Sequence, residues 1–258
     1  MLIALDIGNT HITFGGFEGE KLVFVASMAT DDRQTGEQYA CSLRELFSLY
    51  GVDAARIDGA VLCSVVPGVT LAVQRALKLL LSCEVLTVST GTKTGLNIKL
   101  DQPKALGSDL VANAVWAMHR GETPCVVVDL GTATTFTVLN QSGVLVGTVI
   151  AAGVRISLDA LKERAAQLPS VRLEEPAHGV LGRNTVDAMK SGALYGAAAM
   201  IDGMVARIGE ALGETPRVLI SGGPAALLVP HLHIEAVYEP YITLRGLTAI
   251  WHRNHQKK

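Results

Sequence analysis

Apolar residues recur along this chain in two rhythms. Residues 3–14, IALDIGNTHITF, and residues 126–138, VVVDLGTATTFTV, share one pattern. Each is an apolar run, then Asp-x-Gly with a polar neighbour, then an alternating β-branched run, which predicts strand, tight turn, strand. A third strand follows each, over residues 21–26 and 144–150. Asp6 and Asp129 lie close to half the chain apart, so the simplest account is internal duplication of one ββ-β-α-β-α unit.

A helical rhythm predicts helices over residues 34–50, 69–81 and 108–119 in the first half, with short strands over 59–64 and 84–88. Tyr39, Leu43, Leu46, Phe47 and Tyr50 mark the first helix at three- and four-residue spacing. In the second half helices are expected over 154–167, ending before Pro169, and over 184–212. The latter is rich in Ala, Met and Gly with little charge, as expected of a helix buried on several sides or against another subunit. A strand over 217–220 runs into Ser221-Gly222-Gly223-Pro224 and a further helix, and residues 244–252 form a closing helix. Gly121 and Pro124 punctuate the helix-to-strand change, which divides the chain into domains 1–121 and 122–258.

Composition narrows the function. With 258 residues and 49% apolar content the chain has ample material for substantial cores. Its 22 Lys+Arg against 24 Asp+Glu leave a formal charge of -2, so no polycationic field draws nucleic acid or an anionic membrane surface. The mean hydropathy of +0.34 raises the question of membrane insertion or a large subunit interface. The most apolar reach, residues 57–89, carries Asp58, Arg75, Lys78, Glu84 and a Pro67-Gly68 break, which argues against a span. The tail WHRNHQKK is expected to fray from the last helix rather than to grip phosphate. The chain opens in a strand-like run with no basic leader pattern, so the cytoplasm is the expected location. Cys41, Cys63, Cys83 and Cys125 are scattered and the seven His form no ligand pattern, which favours buried reduced thiols over zinc or disulfides.

The duplicated Asp-x-Gly turn is the main candidate for chemistry. Gly8 and Gly131 permit a positive φ and close approach of an anion, while turn amides and the Asn9, Thr10 and Thr132 side chains can donate to phosphate oxygens. The carboxylates of Asp6 and Asp129 can hold a cation that offsets phosphate charge. Alone, such a motif reads as an ordinary hairpin. Two at matching places predict a cleft in which facing loops clamp a nucleotide.

That arrangement resembles the actin, hexokinase and heat-shock-protein ATPase superfamily. DIGNT at 6–10, CSVVP at 63–67, GSDLVANAV at 107–115, DLGTATT at 129–135, GRNTVDAMKSG at 182–192, SGGPA at 221–225 and ITLRGL at 242–247 are similar to type III pantothenate kinase. The resemblance implies an α/β protein of two duplicated ribonuclease H-like, actin-like ATPase domains, each a mixed five-stranded sheet with flanking helices. It implies ATP-dependent phosphorylation of pantothenate to 4′-phosphopantothenate, the first step of coenzyme A synthesis, by a homodimer. A non-catalytic accessory relative, or a kinase of the same fold with another small-molecule acceptor, is the alternative.

By the same resemblance, Asp6, Ile7, Gly8, Asn9, Thr10, His11, Ile12 and Thr13 bind the ATP phosphates with magnesium near Asp6, and Thr132 is a further ATP contact. Asp129 matches a potassium or ammonium ligand and Asp109 the general base. Leu100, Gly107, Ser108, Asp109, Leu110 and Thr185 fall at pantothenate contacts. The residues themselves leave alternatives open. Asp109 or Ser108 can cap the helix that follows, and Asn184 or Thr185 can cap the long helix, with Asp187 at its positive end. The chain departs from the family's Tyr, Asn-Pro and Gly-Ala-Asp-Arg pattern at Leu100, Gln102-Pro103, Ser108 and Leu110, and Ala152-Gly153 stands where Pro-Gly is usual. A guanidinium makes directional, charge-assisted hydrogen bonds that Leu110 cannot. Arg155, Arg183 and Lys190 are candidate substitutes.

Overall fold

The structure, a computed structural model, describes residues 1–255. In chain order the elements are β1 (Leu2–Ile7), β2 (His11–Glu18), β3 (Lys21–Ala29), α1 (Gly36–Leu49), β4 (Gly59–Ser64), α2 (Pro67–Leu80), β5 (Glu84–Thr87), β6 (Asn97–Ile98) and α3 (Ser108–His119). They continue with β7 (Cys125–Leu130), β8 (Ala133–Leu139), β9 (Val144–Ala152), α4 (Val154–Arg164), α5 (Thr185–Leu212), β10 (Arg217–Ser221), α6 (Ala225–Leu228), β11 (Val237–Tyr238) and α7 (Ile242–His255). The expected fraying of the tail concerns in part residues 256–258, outside the described residues.

The chain forms two compact units. The first takes Met1–Leu96, Gln102–His119 and the chain from Ile242 onward; the second takes Asn97–Asp101 and Arg120–Tyr241. Their sheets repeat one topology. The first is ordered β3-β2-β1-β4-β5, and the second β11-β10-β7-β8-β9-β6. Read from β9 to β11, the second sheet reproduces the first strand for strand. In both, the first three strands pair antiparallel and the last two join in parallel. The duplication inferred from the two Asp-x-Gly turns is thus present in the strand order.

The second sheet has six strands rather than the expected five. The addition is β6, which pairs in parallel with the outer edge of β9. Two residues are too short to carry a periodic signal, so only the pairing reveals this strand. The partition begins the second unit's main segment at Arg120 rather than after residue 121, and it differs from a single division in two further places. Residues Asn97–Asp101 go with the second unit, and α7 goes with the first. Leu244, Leu247 and Ile250 of α7 share a buried cluster with Leu2 and Ala4 of β1 and with Ala112 and Val115 of α3.

Burial along β1 explains how its carboxylate is carried. Every β1 residue is buried except Asp6, and every β7 residue except Asp129, each partly exposed at the same place in its strand. Strand alternation then sorts the side chains. Ile3, Leu5 and Ile7 face α1 and α2, packing with Tyr39, Leu43, Val73 and Leu77. Leu2 and Ala4 face α3 and α7, and Asp6 continues that row. In the second unit Val126, Val128 and Leu130 pack against Leu194, Ala198, Ile201 and Val205 of α5. Each side chain so buried contributes on the order of 1.5–3 kcal/mol, which fixes the strands that carry both turns.

Two helices start where side chains dictate. Thr35 and Gln38 form a reciprocal capping box, so α1 begins at Gly36. Pro67, read as part of a break, is instead the first residue of α2, where its missing N–H has no partner to lose.

Candidate active site

The first unit brings Asp6, its turn, β4 and the start of α3 together. The turn after β1 closes with the Gly8 N–H donating to the His11 carbonyl at 3.0 Å. Thr30, just past β3, fixes the turn from outside: its hydroxyl donates to the Gly8 carbonyl at 2.7 Å and its N–H to the Thr10 carbonyl at 3.0 Å. Asn9, Thr10 and His11 are exposed. Ile7 and Ile12 are wholly buried in the core, so their contribution to anion binding is through the backbone. Gly8 and Gly131 do not use the positive φ that glycine permits. A Cβ at Gly8 would sit 3.2 Å from the His11 carbonyl oxygen. The tightness of the turn, rather than left-handed backbone, favours glycine at Gly8.

Beside the turn, the buried Cys63 thiol donates to Asp6 Oδ1 at 3.3 Å. Cys63 lies opposite Asp6 in the β1–β4 pairing. Its thiol is held well above the ordinary range, first by burial and then by the negative charges of Asp6 and Asp109, so it stays a neutral donor. Both carboxylates therefore lie within electrostatic reach of one thiol.

Asp109 sits in the first turn of α3 and accepts the Leu110 N–H at 2.9 Å. Part of the capping reading is thus realised, yet burial is the larger influence and pushes the carboxyl above its ordinary value of 3.8. Gly107 makes room for it, since a Cβ there would strike Asp109 Oδ1. The Ser108 hydroxyl does not cap the helix. It accepts the Ser64 N–H at 3.1 Å and donates to the Ser64 carbonyl at 3.1 Å. Leu110 is 6% exposed and packs as a core residue.

The second unit repeats the turn around Asp129. The Gly131 N–H donates to the Ala133 carbonyl at 3.0 Å, and the Gly153 N–H to the Thr132 carbonyl at 3.2 Å. Ser221 pairs with Asp129, and Gly222 follows with φ +99, where a Cβ would collide with the Leu130 backbone. The sequence signals SGGPA and Ala152-Gly153 therefore mark the supports of this turn. Thr135 pairs with Asp129 across the strands just as Thr13 pairs with Asp6. The Thr135 Oγ1 is buried with no hydrogen-bond partner among the described residues. A carboxylate beside an unsatisfied hydroxyl is an oxygen donor set of the kind hard cations take, so Asp129 and Thr135 fit the monovalent ion that the family resemblance implies. Among the described residues no group of three or more His, Cys, Asp or Glu gathers as a preformed cation cage.

Thr185 is the exposed first residue of α5. The cap is Asn184, whose side chain accepts the Asp187 N–H at 2.9 Å. Asp187 in turn accepts the Ala177 N–H at 3.2 Å and meets His178 Nδ1 at 2.6 Å, clamping residues 177–184 to the helix start. Its carboxyl is held below the usual range, first by the hydrogen bond to His178. Sequence reasoning placed Asp187 as a dipole partner and missed His178, which no spacing rule connects to it. Of the three candidate cations, Lys190 is committed to Glu174 at 2.9 Å, while Arg155 and Arg183 are exposed. Leu100 belongs to the second unit, whereas Gly107, Ser108, Asp109 and Leu110 belong to the first.

Duplicated mixed sheets, each with an Asp-bearing turn after its central strand, define a protein of the actin-like ATPase fold. The ethanolamine utilization protein EutJ from Carboxydothermus hydrogenoformans shares that fold at a TM-score of 0.58 and 15% identity, with 96% of this chain and 89% of that chain covered. Within the class the match is narrower. The sequence profile of type III pantothenate kinase matches residues 2–207. The type III pantothenate kinase of Brevibacillus brevis is 38% identical over 254 residues, 98% of this chain and 99% of that protein. That of Geobacillus sp. (strain WCH70) is 35% identical over 258 residues, covering 100% of both chains. This chain belongs to the type III pantothenate kinase family.

Proposed function

We propose that this protein transfers the γ-phosphoryl group of ATP to the 4′-hydroxyl of pantothenate, giving 4′-phosphopantothenate and ADP at the entry to coenzyme A synthesis. One observation carries the reading: curated relatives bearing that activity in their names align along essentially the whole chain. The local geometry is consistent with it. Phosphoryl transfer needs charge neutralisation, in-line positioning and a proton acceptor near the attacking hydroxyl.

Residues 6–13 contact the phosphates through turn amides and the Asn9, Thr10 and Thr13 hydrogen-bonding groups, and Thr132 is a further ATP contact. Asp6 would hold a magnesium ion whose charge would offset that of the phosphates, and Asp129 with Thr135 would hold a potassium or ammonium ion. Asp109 accepts the proton of the 4′-hydroxyl as its oxygen bonds to the γ-phosphorus and the bond to ADP breaks. A loose transition state gives up that proton late, so a carboxylate suffices as base. Leu100, Gly107, Ser108, Leu110 and Thr185 line or support the acceptor side. With Leu110 in the core, Arg155 and Arg183 are the cations that remain for the carboxylate of pantothenate.

No helix among the described residues is long and apolar enough to cross a membrane. We place the enzyme in the cytoplasm as a homodimer, with no nucleic-acid or membrane partner. The test is ADP release from ATP and magnesium, measured with and without pantothenate and in potassium against sodium. Pantothenate-dependent release that weakens in sodium is expected. Equal ADP release with and without pantothenate contradicts the acceptor, and equal rates in both salts contradict the role of Asp129.

A further inference from the structure

The last two residues of β4 lie between the first unit's two site carboxylates, Cys63 bonded to Asp6 and Ser64 bonded to Ser108, the neighbour of Asp109. On one side the Cys63 thiol reaches Asp6 Oδ1 at 3.3 Å from the neighbouring strand. On the other, the Ser108 hydroxyl takes both backbone polar groups of Ser64, accepting its N–H and donating to its carbonyl at 3.1 Å each. Ser64 is itself fixed. Its hydroxyl accepts the Val66 N–H at 3.0 Å and the Thr70 hydroxyl at 2.7 Å, tying it to the start of α2. Cys63 is fully buried and so cannot swing. A single rigid strand end thereby reaches the turn residue Asp6 directly and the helix turn bearing Asp109 through one hydroxyl.

We infer that Ser108 and Cys63 are positioning residues of the transfer reaction, which together set Asp109 and Asp6 in register through the end of β4. Ser108 acts on Asp109 through the first turn of α3, because its only hydroxyl proton and one of its two acceptor lone pairs are engaged by Ser64. It is also where this chain has a hydroxyl and the family pattern has Ala. The hydroxyl is therefore a feature of this chain and not of the motif. Cys63 supplies Asp6 with a neutral donor, so it orients the carboxylate without cancelling the charge that a cation needs. The inference rests on the kinase reading for the roles of the two carboxylates, but the tie itself is a matter of geometry.

Displacing a reacting group by about 1 Å can cost on the order of a hundredfold in rate. Removing the Ser108 hydroxyl leaves two part-buried backbone groups to find other partners and loosens the first turn of α3. Ser108→Ala is expected to lower kcat about tenfold or more with KM for ATP within about twofold. The acid limb of its kcat–pH profile moves to lower pH, since Asp109 gains water. Ser108→Thr, which keeps the hydroxyl, restores most of kcat and the original limb. Cys63→Val, which keeps the packing, raises KM for ATP and the magnesium requirement by several-fold, and Cys63→Ser reverses this.

The kinetic and structural outcomes separate the two proposals. A wild-type protein that turns over pantothenate, with kcat, KM and pH profile all unchanged in Ser108→Ala and Cys63→Val, overturns the tie and leaves the kinase reading intact. A wild-type protein without turnover refutes the kinase reading. Amide exchange at Val111 and Ala112 then decides: at least about tenfold faster exchange in Ser108→Ala supports the tie, and unchanged exchange overturns it.

Discussion

Asp109 shows how one side chain answers to two demands. As a helix residue it accepts the Leu110 N–H, and as a buried carboxyl it is pushed above 3.8 by desolvation. A raised acid destabilises the fold once ionised. Stability contributed by the protonated form is present below 3.8 and lost as pH rises toward the raised native value. Asp109→Asn is therefore expected to lower pantothenate-dependent turnover at least about a hundredfold while raising Tm at neutral pH. The Tm gain shrinks as the pH is taken down toward 3.8. Near-full turnover in the variant makes Asp109 a cap only, and a lower Tm at neutral pH contradicts its burial as the dominant influence. Its place ahead of an apolar run pointed to a helix cap and only the family resemblance pointed to a base, which is why both roles stood open. The backbone around Gly8 and Gly131 was read less well, because glycine permits several conformations and only the closing hydrogen bonds select among them.

Elements with a strong period were legible, and those without one were not. The helical rhythm located α1, and the alternating β-branched runs located β2 and β8. The two-residue strands β6 and β11 have no room for alternation, and the α7 sequence says nothing about which sheet it covers. Loop architecture was the least legible, since the clamp at the start of α5 joins Ala177, His178, Asn184 and Asp187 by side-chain geometry alone. Its carboxyl lies below the usual range, so the clamp is fully present above 3.8 and is lost only as pH falls through the lowered native value. Asp187→Ala is expected to make residues 177–184 a preferred site of limited proteolysis and to raise KM for pantothenate by about tenfold, with kcat much less affected. An unchanged proteolysis pattern shows that the loop is held by something other than this carboxylate.

At the scale of the molecule, duplication accounts for why two acidic turns exist at all. The repeated strand order places Asp6 and Asp129 at equivalent positions, each opposite a threonine on the following strand. The composition of helix α5 predicts burial on several sides or against another subunit. Its Met189, Leu194, Ile201 and Val205 do pack inward, while Ala188, Gly192, Gly196 and Ala199 form an exposed small-residue row. Exposed Val180, Leu181 and Val186 lie on the same part of the chain. The proposed homodimer predicts a dimeric mass by light scattering at micromolar concentration, and a monomeric mass overturns it. The central claim is transfer of phosphorus from ATP to pantothenate. Phosphorus NMR of a reaction containing protein, ATP, magnesium, potassium and pantothenate tests it most directly. A new phosphate-monoester signal on pantothenate, growing in step with ADP, is the predicted result. ATP left intact, or its γ-phosphorus recovered only as inorganic phosphate, contradicts the account.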